Sequence, residues 1–328
     1  MIAKKLTIPY RVLKNDALLR RLPHPHCKVS LIEDDFKKRK AGYRGEQNFL
    51  YHLGFLPDNH FHIFFDLHLQ IGNQTFQIDT LILTPNLIII CEVKNYSGTL
   101  IFEKHSDQLI RIYQNKEEVF PNPIYQIQRQ HIQLDRFLKQ FNIQSIPIEH
   151  FVIIGNSTTQ IKTSPDNSRL YETVFHSEKI ITKMEELSKI HKRTILKPSN
   201  FNRVSQLILS NHKDDNPNII DTFGIQKKEI IKGVRCSACK NFSMIRAHGT
   251  WKCSNCYAYS KDAHKQAILD YLLIVDSHVT NKQCQEFLHV FKPQIVYRLL
   301  ASMNLPTSGN DGGKTYHLPP PDYFQEAI

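Results

Sequence analysis

Apolar and polar residues alternate along Gln74–Leu83 (QTFQIDTLIL), and from Leu87 to Val93 they give way to a nearly unbroken β-branched run. The first pattern predicts a half-buried strand and the second a strand buried on both faces. Thr84-Pro85-Asn86 between them is turn chemistry, so the stretch is predicted to be a β-hairpin. Pro85 cannot take the positive φ of a tight hairpin turn, which favours a four-residue loop from Thr84 to Leu87. With that loop Asp79 lies directly across from Glu92, whereas a loop centred on Pro85 would send the two acids to opposite faces. Helical periodicity frames the hairpin. In Gly42–Leu56, Phe49, Leu50 and Leu53 recur at helical spacing after Glu46, so this acid sits on or beside an apolar face. Asn122-Pro123 opens a helix running to Phe141, with Ile124, Ile127, Leu134, Leu138 and Phe141 as its ridge and Gln126, Gln130 and Gln133 off it. Thr99–Phe102, Gln108–Ile112 and Glu149–Gly155 read as further strands, and an α/β fold follows, a mixed sheet with helices on both faces.

Later in the chain, Ser177–His191 and Pro198–His212 read as helices, and Asp214–Asn218 as a linker-like break. From Ala263 the rhythm is that of a winged helix: His264–Val275, Thr280–Leu288 with Thr280 as N-cap, Pro293–Met303, then a glycine-rich turn, Gly309–Gly313, and KTYHL. Gln294, Tyr297 and Arg298 then fall on the candidate recognition helix and Lys314 on the wing. This segment is close to neutral, so a protein-contacting module and a groove-binding one both fit it.

The hairpin is a costly place for charge. Glu92 and Lys94 are two residues apart and share a face, and two carboxylates opposed across a strand pair repel unless a cation or proton lies between them. Oxygen ligands favour a hard ion, Mg²⁺ or Mn²⁺, which polarises a phosphoryl oxygen and acidifies a bound water, while a neighbouring lysine orients that water. These are the parts of a phosphodiester-cleaving site. A capped strand end beside an ordinary ion pair is the plain alternative for three such residues, and the apolar company on both arms argues against it.

Residues IDTLILTPNLIIICEVKNYSGTL resemble the core of the NERD (nuclease-related) domain, a branch of the PD-(D/E)xK restriction-endonuclease-like superfamily. The resemblance covers roughly residues 40 to 155. It implies that Asp79, Glu92 and Lys94 are catalytic, with Tyr96 and Gly98 matching the aromatic and glycine that follow ExK. It further implies that Asp79, Glu92 and the backbone carbonyl of Val93 hold Mg²⁺, that Gly45-Glu46 brings another acid to the metal, and that Gln126, in an NPxxQ match with Asn122 and Pro123, supports the site.

Cys236-x2-Cys239 and Cys253-x2-Cys256 are separated by 13 residues, the spacing of a Cys₄ zinc ribbon in which a hairpin within Phe242–Trp251 joins the two pairs. Four protein ligands make a closed, structural Zn²⁺ site. Two disulfides are the alternative, disfavoured where no secretory signal is seen. Cys27, Cys91 and Cys284 stand apart. His24 and His26 form an HxH pair broken by prolines, a poor metal spacing.

The formal charge of +11 points to a polyanion, either nucleic acid or an anionic membrane surface. Twelve basic and four acidic residues lie in the first 44, either a phosphate-riding arm or a solvated leader with a helix near Asp16–Leu22. No apolar run reaches spanning length and no signal-peptide core opens the chain, so a cytoplasmic protein is expected. The domain expectation is a basic segment (1–39), a nuclease-like core (40–155), a mostly helical extension (156–232), a zinc ribbon (233–260) and a helical module (261–328). The expected function is Mg²⁺-dependent cleavage of DNA. A nuclease-like fold that only binds or regulates, and an adaptor working through protein contacts, are the other two classes.

Overall fold

The computed structural model describes residues 1–57, 61–104, 106–143, 146–310 and 313–327. They divide into two compact units, Met1–Thr7 with Lys40–Asp215, and Ile8–Arg39 with Asn216–Ile328. In chain order the elements begin β1 (Ile2–Lys4), α1 (Tyr10–Arg21), α2 (Val29–Leu53), β2 (His62–Ile71), β3 (Gln74–Leu83), β4 (Ile88–Lys94), β5 (Thr99–Glu103), β6 (Gln108–Tyr113), β7 (Lys116–Phe120) and α3 (Pro123–Gln140). Next come β8 (Ile148–Ile154), β9 (Gln160–Thr163), α4 (Leu170–Thr173), β10 (Val174–His176), α5 (Ile180–Ile190), α6 (Pro198–Asn211) and α7 (Ile219–Phe223). The remainder is β11 (Met244–Ala247), β12 (Thr250–Cys253), β13 (Tyr259–Ser260), α8 (Ala263–Ile274), β14 (His278–Thr280), α9 (Asn281–Leu288), α10 (Pro293–Ala301), β15 (Thr307–Ser308), β16 (Thr315–His317) and α11 (Tyr323–Ala327).

The first unit is built on a six-stranded mixed sheet in the order β1-β2-β3-β4-β8-β10. The hairpin β3–β4 occupies its centre, which is why its second arm is apolar on both faces. Thr84 closes the four-residue loop: its N–H donates to the Leu87 carbonyl at 3.0 Å and its hydroxyl oxygen accepts from Leu87 N at 2.9 Å. The ladder pairs Leu83 with Ile88 and Thr80 with Cys91, the register expected for that loop. On one face lie Ile127, Leu134, Phe137 and Leu138 of α3 with Phe201, Val204 and Ile208 of α6. Phe49 and Leu53 of α2 and Ile180 and Leu187 of α5 cover the other. A second sheet, β7-β6-β5-β9, follows the hairpin. Strand β2 is not among those anticipated; it pairs with β3 along nearly its whole length, except at Asp66, whose φ is +48°.

Residues 1–39 are not a separate basic arm. β1 joins the sheet edge beside β2. Helix α1 starts six residues before the helix expected near Asp16–Leu22 and buries Leu13, Ala17 and Leu18 in the core of the second unit. Its basic residues find acids distant in sequence: Arg20 and the fully buried Arg21 each lie 2.8 Å from Asp270 on α8. A charge count along a segment cannot reveal such a partner. Residues 156–215 complete the first unit and residues from Asn216 belong to the second.

In the second unit β11-β12-β13 form one small sheet and β14-β16-β15 another, the latter set around α9 and α10. Thr280 caps α9 as expected, its hydroxyl accepting from Gln283 N. Of the anticipated glycine-rich turn, Asp311 and Gly312 lie outside the described residues.

Candidate active site and metal centre

Four elements of the first unit bring the expected residues together: Glu46 on α2, Asp79 on β3, Glu92, Val93 and Lys94 on β4, and Gln126 on α3. Asp79 is buried, and its Oδ2 accepts the Val93 N–H at 2.8 Å. Lys94 Nζ donates to Glu92 Oε1 at 2.6 Å and to Gln126 Oε1 at 3.0 Å, which fixes the ammonium between strand and helix. Asn122 makes this possible by capping α3 and thereby setting the phase of Gln126: its Oδ1 accepts from Ile124 N at 3.0 Å.

Three glycines have steric reasons to be present. A Cβ on Gly45 would lie 2.7 Å from Asn95 Cβ, and one on Gly155 would lie 3.0 Å from Gly45 Cα. Helix α2 therefore rides directly on the ends of β4 and β8, tied by Asn95 Nδ2 donating to Ala41 O at 2.7 Å. That close approach carries the next residue, Glu46, to the acids on the strands. Gly98 has φ +97°, and a Cβ there would meet Ile112 O at 2.3 Å. Tyr96 packs against Phe120 at 5.0 Å between centroids, with the Arg111 guanidinium 5.8 Å from its ring.

The electrostatics follow from burying several acids together. Burial, and then the charges of Asp79, Asp66 and Glu92, hold the Glu46 carboxyl well above the ordinary carboxylate range. Burial and the Glu92 charge do the same to Asp79, against the opposing pull of Lys94 and the Val93 N–H. Burial pulls Lys94 down, but Glu92 and Asp79 outweigh it and its pKa rises, so the ammonium is firmly charged. Such a donor set fits a divalent cation, because acids that repel one another across a water-poor site are stabilised by positive charge between them.

Three contributors were not anticipated. Gln130, buried, donates Nε2 to Glu92 Oε2 at 2.7 Å. Glu92 is thus held by Lys94 on one oxygen and Gln130 on the other. The spacing of Gln126 and Gln130, one helical turn apart, was the available signal. Asp66, on β2, adds a further acid, accepting from Gln77 Nε2 at 2.8 Å with His68 Nε2 2.9 Å away. Burial raises its carboxyl, yet these partners together with Lys4 hold it below the ordinary value. Lys4 Nζ donates to the carbonyls of Phe65 and Asp66 at 2.9 and 3.1 Å, bracing the backbone where the ladder is interrupted. A separate apolar cavity of 660 Å³ lies at the turn end of the hairpin, around Thr84–Leu87, and includes none of these residues.

In the second unit the Sγ atoms of Cys236, Cys239, Cys253 and Cys256 lie within 4.8 Å of one another. Both CxxC turns are built alike: Lys240 N donates to Cys236 O and Tyr257 N to Cys253 O, with Lys240 and Tyr257 both at positive φ. The separations Cys236–Cys256 and Cys239–Cys253 are 3.7 and 3.6 Å. Tetrahedral thiolates about 2.3 Å from zinc are roughly 3.8 Å apart, so the quartet can hold such an ion. Ser243 and the Cys256 N–H, both directed at its sulfur, lower the Cys253 thiol to about 6. Among the described residues this is the group already gathered closely enough for a metal; the acids of the first unit converge less tightly. Cys91 and Cys284 are buried elsewhere and Cys27 is exposed. His26 meets Glu229 at 3.2 Å.

On α10, Gln294, Tyr297 and Arg298 are exposed; with Lys314 they line a 740 Å³ groove. Among the described residues no helix is long and apolar enough to cross a membrane.

Residues 41–155 match the family model of the nuclease-related domain, NERD, so the chain carries such a domain over roughly a third of its length. No curated protein matches the chain. A Vibrio cholerae protein known from its crystal structure, VC1899, is similar at 8% identity and a TM-score of 0.25, over 56% of this chain and 52% of that one. The chain thus spans about half the length of that protein.

Proposed function

We propose that the chain is a metal-dependent nuclease that hydrolyses phosphodiester bonds of DNA. The observation that supports this most is the seating of Lys94, held by Glu92 and Gln126 beside buried carboxylates whose mutual repulsion calls for a cation. Asp79, Glu92 and the Val93 carbonyl would hold Mg²⁺ or Mn²⁺, with Glu46 completing the outer ligand set. When bound, the ion supplies Lewis-acid polarisation of the phosphoryl oxygen and a more acidic water. Lys94 orients the attacking water and offsets negative charge as it develops on the phosphoryl oxygens. Gln126 and Glu92 keep the ammonium in place, and Gln130 keeps Glu92 in place. The four cysteines hold a structural Zn²⁺. The order α8-β14-α9-α10-β15-β16 supports a winged-helix reading of this module, which with the ribbon binds the substrate. The protein acts in the cytoplasm.

The test is a cleavage assay with Mg²⁺ or Mn²⁺ on linear, circular and single-stranded DNA and on RNA, with Glu92→Ala prepared in parallel. Cleavage of DNA by the wild type and none by the variant is expected. Failure of the folded wild type to cut any substrate, or equal cutting by the variant, overturns the reading.

A further inference from the structure

The small sheet that carries the cysteines has two dissimilar faces. Strand alternation turns Trp251, fully buried, toward the core of its unit and Lys252 outward. Cross-strand pairing then sets Ile245, Lys252 and Tyr259 in one row across β11, β12 and β13. Tyr257, at positive φ after the second CxxC turn, stands next to this row. Ile245, Tyr257 and Tyr259 are 61%, 68% and 65% exposed. Lys252 Nζ lies 5.6 Å from the Tyr257 ring centroid and 5.7 Å from that of Tyr259, so one ammonium sits beside two solvent-facing rings. Gly233–Lys261 contains five basic residues and no acid.

Exposed aromatic rings are expensive to leave in water, and a lysine among them suits an anionic, planar ligand better than an apolar protein surface. We infer that this face is a stacking platform for unpaired bases of single-stranded DNA, with Tyr257 and Tyr259 each receiving a base and Lys252 the intervening phosphate. A duplex keeps its base faces covered and cannot use the rings, whereas every unpaired base presents a face to stack. The choice of DNA rests on the nuclease reading above. The platform adds what the cleavage site lacks, a preference for substrates with an unpaired stretch, such as a frayed end, a flap or a gap.

The test measures binding by fluorescence anisotropy, with the zinc-loaded full chain in magnesium-free buffer so that no strand is cut. The probes are a labelled single-stranded DNA, its duplex and an RNA of the same sequence. Tyr257→Ala/Tyr259→Ala is expected to weaken single-strand binding by about 5- to 150-fold per ring lost, leaving duplex binding unchanged. Tyr257→Phe/Tyr259→Phe is expected to bind as the wild type does. Lys252→Gln is expected to flatten the slope of log affinity against log salt by about 0.7. Unchanged single-strand binding by the alanine variant, with zinc content and melting temperature intact, overturns the platform, as does ring-dependent binding of RNA or duplex alone. Cleavage by the wild type beside ring-independent binding overturns the platform and leaves the nuclease standing. Ring-dependent binding of single-stranded DNA without any cleavage does the reverse.

Discussion

Replacing Asp79 by asparagine tests the electrostatic argument at the first site without recourse to activity. Asparagine keeps an oxygen to accept the Val93 N–H and removes one of the acids that push each other's pKa upward. A carboxyl raised in the fold contributes stability that is fully present below its unfolded value of about 4 and is lost as pH rises through its folded value. The metal-free wild type therefore loses stability relative to Asp79→Asn as pH climbs above 5. The slope of the difference is about 1.4 kcal/mol per pH unit while Asp79 stays protonated in the fold and ionised in the unfolded chain. At higher pH, where Asp79 ionises in the fold, its replacement also eases Glu46, which adds to the difference. A divalent ion at about a hundred times its Kd should return about 2.7 kcal/mol to the wild type, and markedly less to the variant. Urea unfolding at several pH values, without chelators so that the cysteines keep their metal, provides the measurement. The single tryptophan, Trp251, reports the second unit, so circular dichroism must follow the first. Histidines that titrate in both proteins cancel in the difference. A difference curve that is flat or falls between pH 5 and 7 would refute the account of mutually raised carboxyls.

Other variants probe the supports. Gln130→Ala leaves one oxygen of buried Glu92 without its partner and should cost about 1–3 kcal/mol by denaturant unfolding, with cleavage reduced; unchanged stability would deny Gln130 its structural part. Gly45→Ala should lower the melting temperature even though alanine favours a helix by about 1 kcal/mol, because the new methyl group meets Asn95; a rise would mean that α2 can lift off without loss. Asp270→Asn removes the counter-charge of the fully buried Arg21, while the partly exposed Arg20 keeps Asp16, and should destabilise the second unit by about 3–5 kcal/mol, read by Trp251 fluorescence. Cys253→Ser should abolish stoichiometric zinc binding and unfold the ribbon, checked by metal analysis of the purified protein.

Local chemistry was sufficient for much of this. Pro85 and Thr84 dictate a loop of one length, the loop dictates the β3–β4 register, and the register, paired as far as Thr80 and Cys91, brings Asp79 to the Glu92–Val93 end of β4, so these steps could be read from a few consecutive residues. The CxxC pairs were equally legible, since ligand type and spacing are sequence properties. Glu46 and Gln126 were reachable through resemblance, and the structure supplies their reasons: Gly45 lets α2 descend, and Asn122 sets the phase of α3. What stayed hidden depends on contacts between distant segments. Gln130 looked like one more polar position on a helix until Glu92 was placed beneath it, and Asp66 and Lys4 acquire meaning only where β1, β2 and β3 lie side by side. Likewise α1 read as surface charge until Asp270, some 250 residues away, proved to be its counterion. Residue type and spacing thus determined the hairpin, its register and the cysteine centre, because those follow from local sterics and ligand preference. Only the tertiary structure decided which acids share a buried site and which cations answer them, since Coulomb energy and desolvation depend on distance and burial that no stretch of sequence carries by itself.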